Sequence, residues 1–459
     1  MVLRHNQMMP QELPMSTIPQ VSQAMQQLLT TAAQDADAKL HYTKRPDRAK
    51  FTAATLTQTL VFGFLAHPDA RIEQLAQSAA RVGVDVSPQA VDQRFTFATA
   101  ALLQEIVTNS MQHLISADGV AIPILQRFSG VRIHDSTTIV LPDSLAEQWR
   151  GCGGSSPVHT SAALKCGVQL DLLTGALCGL DLADGRASDQ RLGVQHAPLP
   201  KGSLRLADLG FYDLGVLAAL SAAEVYWLSK LEPTALITNE QGRCSSLLVF
   251  VQTLGAIDQW EGQVWVGKGQ RVRARLLVQR VPQEVADQRR RRIRKTARDK
   301  GVTPSAAALA LADWTLLLTN IPPELLTLTE ALVVAKVRWQ IELVFKLWKS
   351  HGQLDSWRTG KPARILCEVY AKLLALVVQH WALVVGCWQF PNRSLVKAAQ
   401  VVRDHAPELA SARAQLDRLN EVLATIQQVL RRTARMNTRK KHPNTYQLLL
   451  ALTTEPIQA

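Results

Sequence analysis

The chain has 459 residues, 47% of them hydrophobic and 19% charged, and 51 Lys and Arg against 38 Asp and Glu leave a formal charge of +13. That balance excludes a disordered or collagen-like chain, and the length asks for about three domains rather than one small core. The excess positive charge makes a polyanion the leading partner, either nucleic acid or an anionic membrane surface.

Nothing at the start marks export: MVLRHNQMMPQELPMS lacks the uninterrupted apolar run of a signal peptide. Cys152, Cys166, Cys178, Cys244, Cys367 and Cys387 form no CxxC pair and no zinc-finger spacing, so they read as reduced thiols of a cytoplasmic protein. Residues 1–125 read as helical. Thr52 to Leu65 is apolar at helical spacing and Arg71 to Ala80 repeats the pattern. Gly83 then breaks it, and VSPQAVDQRF restarts it with Ser87 as N-cap and Pro88 at the first helical position. Helix, glycine turn and capped helix is compatible with a helix-turn-helix and equally with a small helical bundle. Gln89, Gln93 and Arg94 are the exposed candidates for DNA contact there.

The middle of the chain changes character. VRIHDSTTIVL, from Val131 to Leu141, is rich in β-branched residues and reads as a strand. The glycine-rich WRGCGGSS follows, and then two strands joined by a turn over Asp171 to Gly175. SLRLADLGFYD supplies a fourth strand ending near Asp208, and EVYWLSKL a fifth, which together indicate a mixed α/β sheet. Residues 231–320 hold further strand-like pieces, GQVWVG and VRARLLVQRVP, before the basic run DQRRRRIRKTARDKG and one more strand, WTLLLTNI. From there to the end the chain reads as helical. Its most membrane-like stretch, Ala371 to Trp388, is interrupted by Gln379 and His380 and reads as a buried core helix, with no membrane partner expected.

Three carboxylates stand out by position: Asp135 inside the first middle strand, Asp208 at the end of the fourth, and Glu342 on a late helix. In RWQIELVFKLWK, Ile341, Phe345 and Trp348 belong to an apolar stripe while Arg338, Glu342, Lys346 and Lys349 form a charged one beside it. Periodicity alone leaves two meanings open, a solvated row of ion pairs or one wall of an active site.

The set HDSTT, LADLGFYD and RWQIELVFKLWK resembles the DDE transposases of bacterial insertion sequences, specifically the insertion-sequence-four family. Asp208-Leu209-Gly210-Phe211 is similar to the family's second-Asp motif, and Arg338, Glu342 and Lys349 match the R, E and K of its Y-x2-R-x3-E-x6-K signature. The signature Tyr falls on Ala335, a departure that bears on transposon-end phosphate contacts and on a hairpin step. The resemblance runs from about residue 130 to 355.

That resemblance implies an RNase H-like mixed-sheet core with a β-rich insertion, flanked by helical N- and C-terminal regions. The implied layout is a helical DNA-binding domain over 1–125, the first part of the core over 126–230, the insertion over 231–320, the Glu-bearing helix of the core over 321–355, and a helical region over 356–459. It implies Asp135, Asp208 and Glu342 as catalytic residues and metal ligands for two Mg²⁺ (or Mn²⁺) ions. Three carboxylates suit ions that prefer oxygen ligands and keep positions open for phosphate. Double-stranded DNA is the implied partner, both as transposon terminal inverted repeats and as target, engaged by a homodimer in the bacterial cytoplasm.

Arg338, Lys346 and Lys349 would hold the DNA backbone at the metals, and the basic runs Arg289 to Arg298 (Arg291 and Arg292 among them) and Arg431 to Lys441 would add backbone contacts. Trp260 and Trp265 in the insertion are candidates to stack on a flipped base, against the plainer role of core aromatics. Two alternatives stand beside this expectation. One is a metal-dependent nuclease of the same fold that cuts without joining. The other is a DNA-binding regulator that has lost the chemistry.

Overall fold

A computed structural model describes residues 17–45, 49–153, 161–268, 271–299, 301–437 and 443–454. The N-terminal MVLRHNQMMPQELPMS up to residue 16, most of the loop after Gly153, and Thr438 to His442 of the last basic run lie outside the described residues.

One ten-stranded sheet organises the middle of the molecule. Its strands in chain order are β1 (Val131–Leu141), β2 (Ala162–Asp171), β3 (Leu177–Asp184), β4 (Leu204–Ala207), β5 (Tyr226–Lys230), β6 (Leu236–Thr238), β7 (Cys244–Ser246), β8 (Gln259–Val266), β9 (Val272–Arg280) and β10 (Trp314–Thr319). Across the sheet the order is β3-β2-β1-β4-β5-β10-β9-β8-β6-β7. β1, β2 and β3 pair antiparallel, while β4 lies parallel to β1 and β5 parallel to β4. Three antiparallel strands followed by two parallel ones in this order make an RNase H-like core. The β-rich insertion is continuous with it, since β10 pairs antiparallel with both β5 and β9.

β1 is covered on both sides, and its alternation sorts the faces. Val131, Ile133, Ile139 and Leu141 are buried in the main core, whereas Arg132 and His134 are buried on the opposite face. Buried polar groups need partners, and the register supplies them: Arg132 lies opposite Asp171 on β2 with an ion pair at 3.6 Å, and His134 lies opposite Gln169 with their Nε2 atoms 2.9 Å apart. The turn after β2 needs Gly175, whose φ of +77° is left-handed and whose α-carbon sits against the Trp388 ring, where a methyl would overlap it.

The helical flanks are far apart in sequence and packed together in space. Ile18–Gln26, opened by a Thr17 capping box, lies on Leu416–Arg432, and Ser22 Oγ donates to Asn420 Oδ1 at 2.6 Å. Ala53–Ala66 and Phe97–Asn109 pack on the long helix Pro362–Leu383. That helix continues as a π-helical turn to Trp388. The span Pro362–Trp388 is long and apolar enough to cross a membrane, and its most apolar 18-residue stretch, with mean hydropathy 1.6, is wholly buried inside the protein.

The segment resembling a helix-turn-helix has a short second member. Ile72–Arg81 is followed by Gly83 at φ +79° and then by Pro88–Asp92, capped as expected by Ser87, which accepts from the Ala90 amide. Gln89, Gln93 and Arg94 are exposed around this five-residue turn of helix.

Candidate active site

Chain direction and strand parity bring the first two carboxylates together. β4 runs parallel to β1 with Ile133 beside Leu206 and His134 beside Ala207, so Asp208, the next residue, emerges next to Asp135. This is the carboxyl end of parallel strands at which open α/β sheets bind ligands. Asp208 precedes the single helical turn Leu209–Phe211, and its side chain remains 43% exposed. Asp135 is more enclosed, and its Oδ1 accepts from the Ser136 amide at 2.8 Å.

The third carboxylate arrives from across the core. Leu328–Val337, opened by a Thr327–Glu330 capping box, leads through Arg338 into Trp339–Lys346. Ile341, Val344, Phe345 and Trp348 bury the apolar side as the stripe requires. The charged side divides by function. Arg338 Nη1 donates to Asp135 Oδ2 at 2.7 Å, its Nη2 donates to Glu342 Oε1 at 2.7 Å, and its Nε lies 3.8 Å from Asp208 Oδ1. One guanidinium therefore gathers all three acids.

Lys346 is exposed. Lys349 lies in the middle of a π-helical turn, Leu347–His351, half-buried, with Nζ donating to the Thr138 carbonyl of β1 at 2.7 Å. Lys349 thus ties the helix to the strand bearing Asp135 instead of standing free toward solvent. Ala335 is half-buried against the core, and Trp339 on the next turn is 55% exposed.

Enclosure sets the electrostatics of the acid cluster. Burial raises the Asp135 carboxyl to about 6 from its ordinary 3.8, and Asp208 and Glu342 push it the same way. The Ser136 amide and Arg338 act against that rise without cancelling it. Among the described residues no three Asp, Glu, His or Cys side chains are gathered closely enough to share one metal ion as they stand, because the acids converge on Arg338 rather than on each other. The donor set nonetheless fits a hard divalent cation: oxygen ligands only, two of them on adjacent strands, arranged around a place already held by positive charge.

Lys230 and Asp189 belong to none of the motifs read from the sequence. Lys230 Nζ, at the end of β5, lies 3.6 Å from Asp208 Oδ1. Its place at the end of the strand parallel to β4 is the one cue that points to it. Asp189 accepts from Ser136 Oγ at 2.7 Å and from Lys165 Nζ at 3.0 Å. No local pattern announces it, since its partners lie 53 and 24 positions away.

The other expected residues lie away from the carboxylates. The basic helix Gln283–Asp299 exposes Arg291, Arg292, Arg294, Lys295 and Arg298. Arg289 and Arg290 are taken up internally, Arg289 by the Trp314 carbonyl at 2.7 Å and Arg290 by Asp287 and Asp313. Trp260 packs edge-on against Phe250 with ring centres 5.0 Å apart, a core role, whereas Trp265 is half-buried with Arg273 over its ring at 5.8 Å.

The chain is similar to known proteins over most of its length. The family model described as a transposase DDE domain matches residues 126–378, more than half of the chain. The transposase for insertion sequence element IS231C of Bacillus thuringiensis subsp. berliner is 26% identical over 390 residues, covering 81% of this chain and 78% of the relative. That of IS231B from the same organism is 24% identical and covers 90% of each chain. The transposase for IS1151 of Clostridium perfringens is 24% identical over 71% of this chain and 73% of its own length. A solved piggyBac transposase synaptic complex with hairpin DNA aligns over 93% of this chain and 87% of its own, at 10% identity and a TM-score of 0.42, too remote to argue from. The family implies dependence on a divalent metal in general. On the match across the RNase H-like core, this chain belongs to the DDE transposases of bacterial insertion sequences and is a DNA transposase.

Proposed function

We propose that Asp135, Asp208 and Glu342 hold the metal with which this transposase cleaves the ends of its insertion sequence and joins the freed 3′-hydroxyl to target DNA. The observation that carries this is the convergence of the three acids, from β1, from the end of β4 and from the late helix, on one cationic group. Two Mg²⁺ (or Mn²⁺) ions bound by these carboxylates would polarise a water and offset the charge that develops on the phosphodiester.

The chain's own residues account for the rest. Asp135 lies within β1 and Asp208 directly follows the parallel neighbour β4, so the sheet sets their spacing, and Lys349 holds the Glu342 helix to β1. In the first step the water oxygen attacks phosphorus, the bond to the 3′-oxygen breaks, and that oxygen leaves as a hydroxyl. In the second step this hydroxyl attacks a target phosphodiester in line and displaces another 3′-oxygen. Arg338 suits a bidentate phosphate contact once the acids are neutralised by another cation, and exposed Lys346 offers a point charge one turn on. Arg291 and Arg292 on the basic helix, with Gln93 and Arg94 near the N-terminal domain, extend the contact along duplex DNA. The substrate is the element's terminal inverted repeats, held by a homodimer in the bacterial cytoplasm, a layout the family resemblance supports.

The test uses purified protein, Mg²⁺ and a labelled duplex carrying the inverted repeats that flank the gene, with Asp208→Ala and Glu342→Ala beside wild type. A 3′-hydroxyl nick at the repeat boundary, joined onward to plasmid and absent in both variants, is the expected result. Tight binding without cleavage by wild type would reduce the site to a DNA-holding surface. Cleavage that ignores the repeats and never joins would make the protein a nuclease.

A further inference from the structure

The carboxylates occupy one face of the core sheet, and a short strap crosses the other. Residues 185–196 run beneath β1, β2 and β3 and seal a small apolar cluster of Leu192, Val194, Ala207 and Phe211. The strap approaches closely because the sheet faces it with glycines: a methyl at Gly167 would come within 2.9 Å of Leu192, and one at Gly179 within 2.9 Å of Val194.

Several of its polar contacts fall on the two acid-bearing segments. Asp189 Oδ1 accepts from Ser136 Oγ at 2.7 Å, and Ser136 is the residue directly after Asp135. The other carboxylate oxygen lies against Gly210, two residues after Asp208, where a methyl would overlap it. Gln190 Nε2 donates to the Tyr212 carbonyl at 2.6 Å and Gln195 Nε2 to the Phe211 carbonyl at 3.0 Å. Arg205 of β4 donates in turn to Gln195 Oε1. Lys165 Nζ, at 3.0 Å from Asp189 Oδ1 and bonded to the Ala187 carbonyl, holds the carboxylate in place.

Adjacent strand residues point to opposite faces. A bond to Ser136 from below therefore sets the pleat that presents Asp135 above, and contact at Gly210 limits where the turn carrying Asp208 can sit. We infer that Asp189 is a positioning residue of the active site, setting the separation of Asp135 and Asp208 from the far side of the sheet. The inference rests on the reading that those two carboxylates share the metal. Groups that orient metal ligands without touching the metal commonly change affinity or activity by about 10- to 100-fold when removed.

The experiment measures Mn²⁺ binding by the electron-spin-resonance signal of free Mn²⁺, cleavage of the inverted-repeat duplex against Mn²⁺ concentration, and melting in EDTA. It compares wild type, Asp189→Ala, Asp189→Asn, Ser136→Ala and, as a metal-site control, Asp208→Ala. Asp189→Ala should weaken Mn²⁺ binding by about 10-fold and move half-maximal cleavage to higher Mn²⁺ by a similar factor. Saturating Mn²⁺ should restore most of its cleavage, and Asp189→Asn, which keeps an acceptor, should fall in between.

A lower melting temperature with wild-type Mn²⁺ affinity would make Asp189 merely structural and overturn the inference. Should Asp189→Ala fail to fold, Ser136→Ala keeps the Asp189–Lys165 ion pair and decides the matter. Unchanged Mn²⁺ affinity in that variant overturns the inference, and weakened affinity supports it. Wild type that neither binds Mn²⁺ nor cleaves would overturn the metal assignment itself. A competent wild type matched by Asp189→Ala would remove only the role given to Asp189.

Discussion

Arg338 and Asp135, 203 positions apart, are joined at 2.7 Å between Nη1 and Oδ2, and both side chains are largely enclosed. This guanidinium neutralises Asp135 and Glu342 and shares Asp208 with Lys230. Removing one partner of an enclosed pair leaves the other charge stranded.

Arg338→Ala is accordingly expected to destabilise the protein in EDTA by on the order of 2 kcal/mol, less than a fully buried pair because Asp208 is solvent-exposed. Added Mg²⁺ should recover part of that loss, since the metal neutralises the same acids. Thermal unfolding with and without Mg²⁺ checks this; equal losses in both conditions would disconnect Arg338 from the metal site.

Asp135 sets a pH dependence with a definite sign. Its carboxyl is raised to about 6 in the folded protein, so between roughly pH 4 and 6 the native state binds more protons than the unfolded chain. Stability of the metal-free protein should therefore fall as pH rises through that window, by about 3 kcal/mol from this group, and level off above it. Asp135→Asn should remove that part of the slope. Mg²⁺ affinity should rise over the same window, because protons compete for the ligand. Denaturant unfolding in EDTA, read across pH, tests the first statement, and calorimetric Mg²⁺ titration tests the second.

Lys346 and Lys349, three residues apart, should behave differently. Lys349→Ala loses a charged hydrogen bond to the Thr138 carbonyl, which should cost about 1.5–3 kcal/mol of stability with little change in DNA affinity. Lys346→Ala removes an exposed cation, and should leave stability within about 0.5 kcal/mol while lowering the salt slope of DNA binding by about 1. Melting curves and salt-dependent binding, run on both variants, separate the two roles.

The basic helix makes a further quantitative case. Arg291 and Arg292 are exposed while Arg289 and Arg290 bond inward. The double variant Arg291→Ala/Arg292→Ala should lower the slope of log affinity against log salt by about 2, equally for repeat-bearing and unrelated duplexes. Arg290→Ala should instead appear as lost stability. A slope unchanged in the first variant would remove this helix from the DNA interface.

Much of the molecule was legible locally. β1 runs from Val131 to Leu141 as its β-branched content requires, Ser87 caps the helix it precedes, and Ile341, Phe345 and Trp348 bury the stripe their spacing describes. These are short-range properties: side-chain branching, cap hydrogen bonds and helical or strand period act within a few residues. The acids and their order along the chain were likewise visible, through motifs a few residues long.

Partnership across the fold was not. A row of charges at spacings of four, four and three does not say which members turn inward. Packing of the helix against β1 sent Arg338 to the acids and Lys349 to a backbone carbonyl, and left Lys346 in solvent. Asp189 became part of the site only because a strap folds under the sheet to reach Ser136 and Gly210. The two helical flanks share a core because Ile18–Gln26 meets Leu416–Arg432. Periodicity determines which face of an element is apolar, but long-range contacts depend on chain reversals whose geometry no local pattern encodes, so only the assembled sheet and helices could decide them.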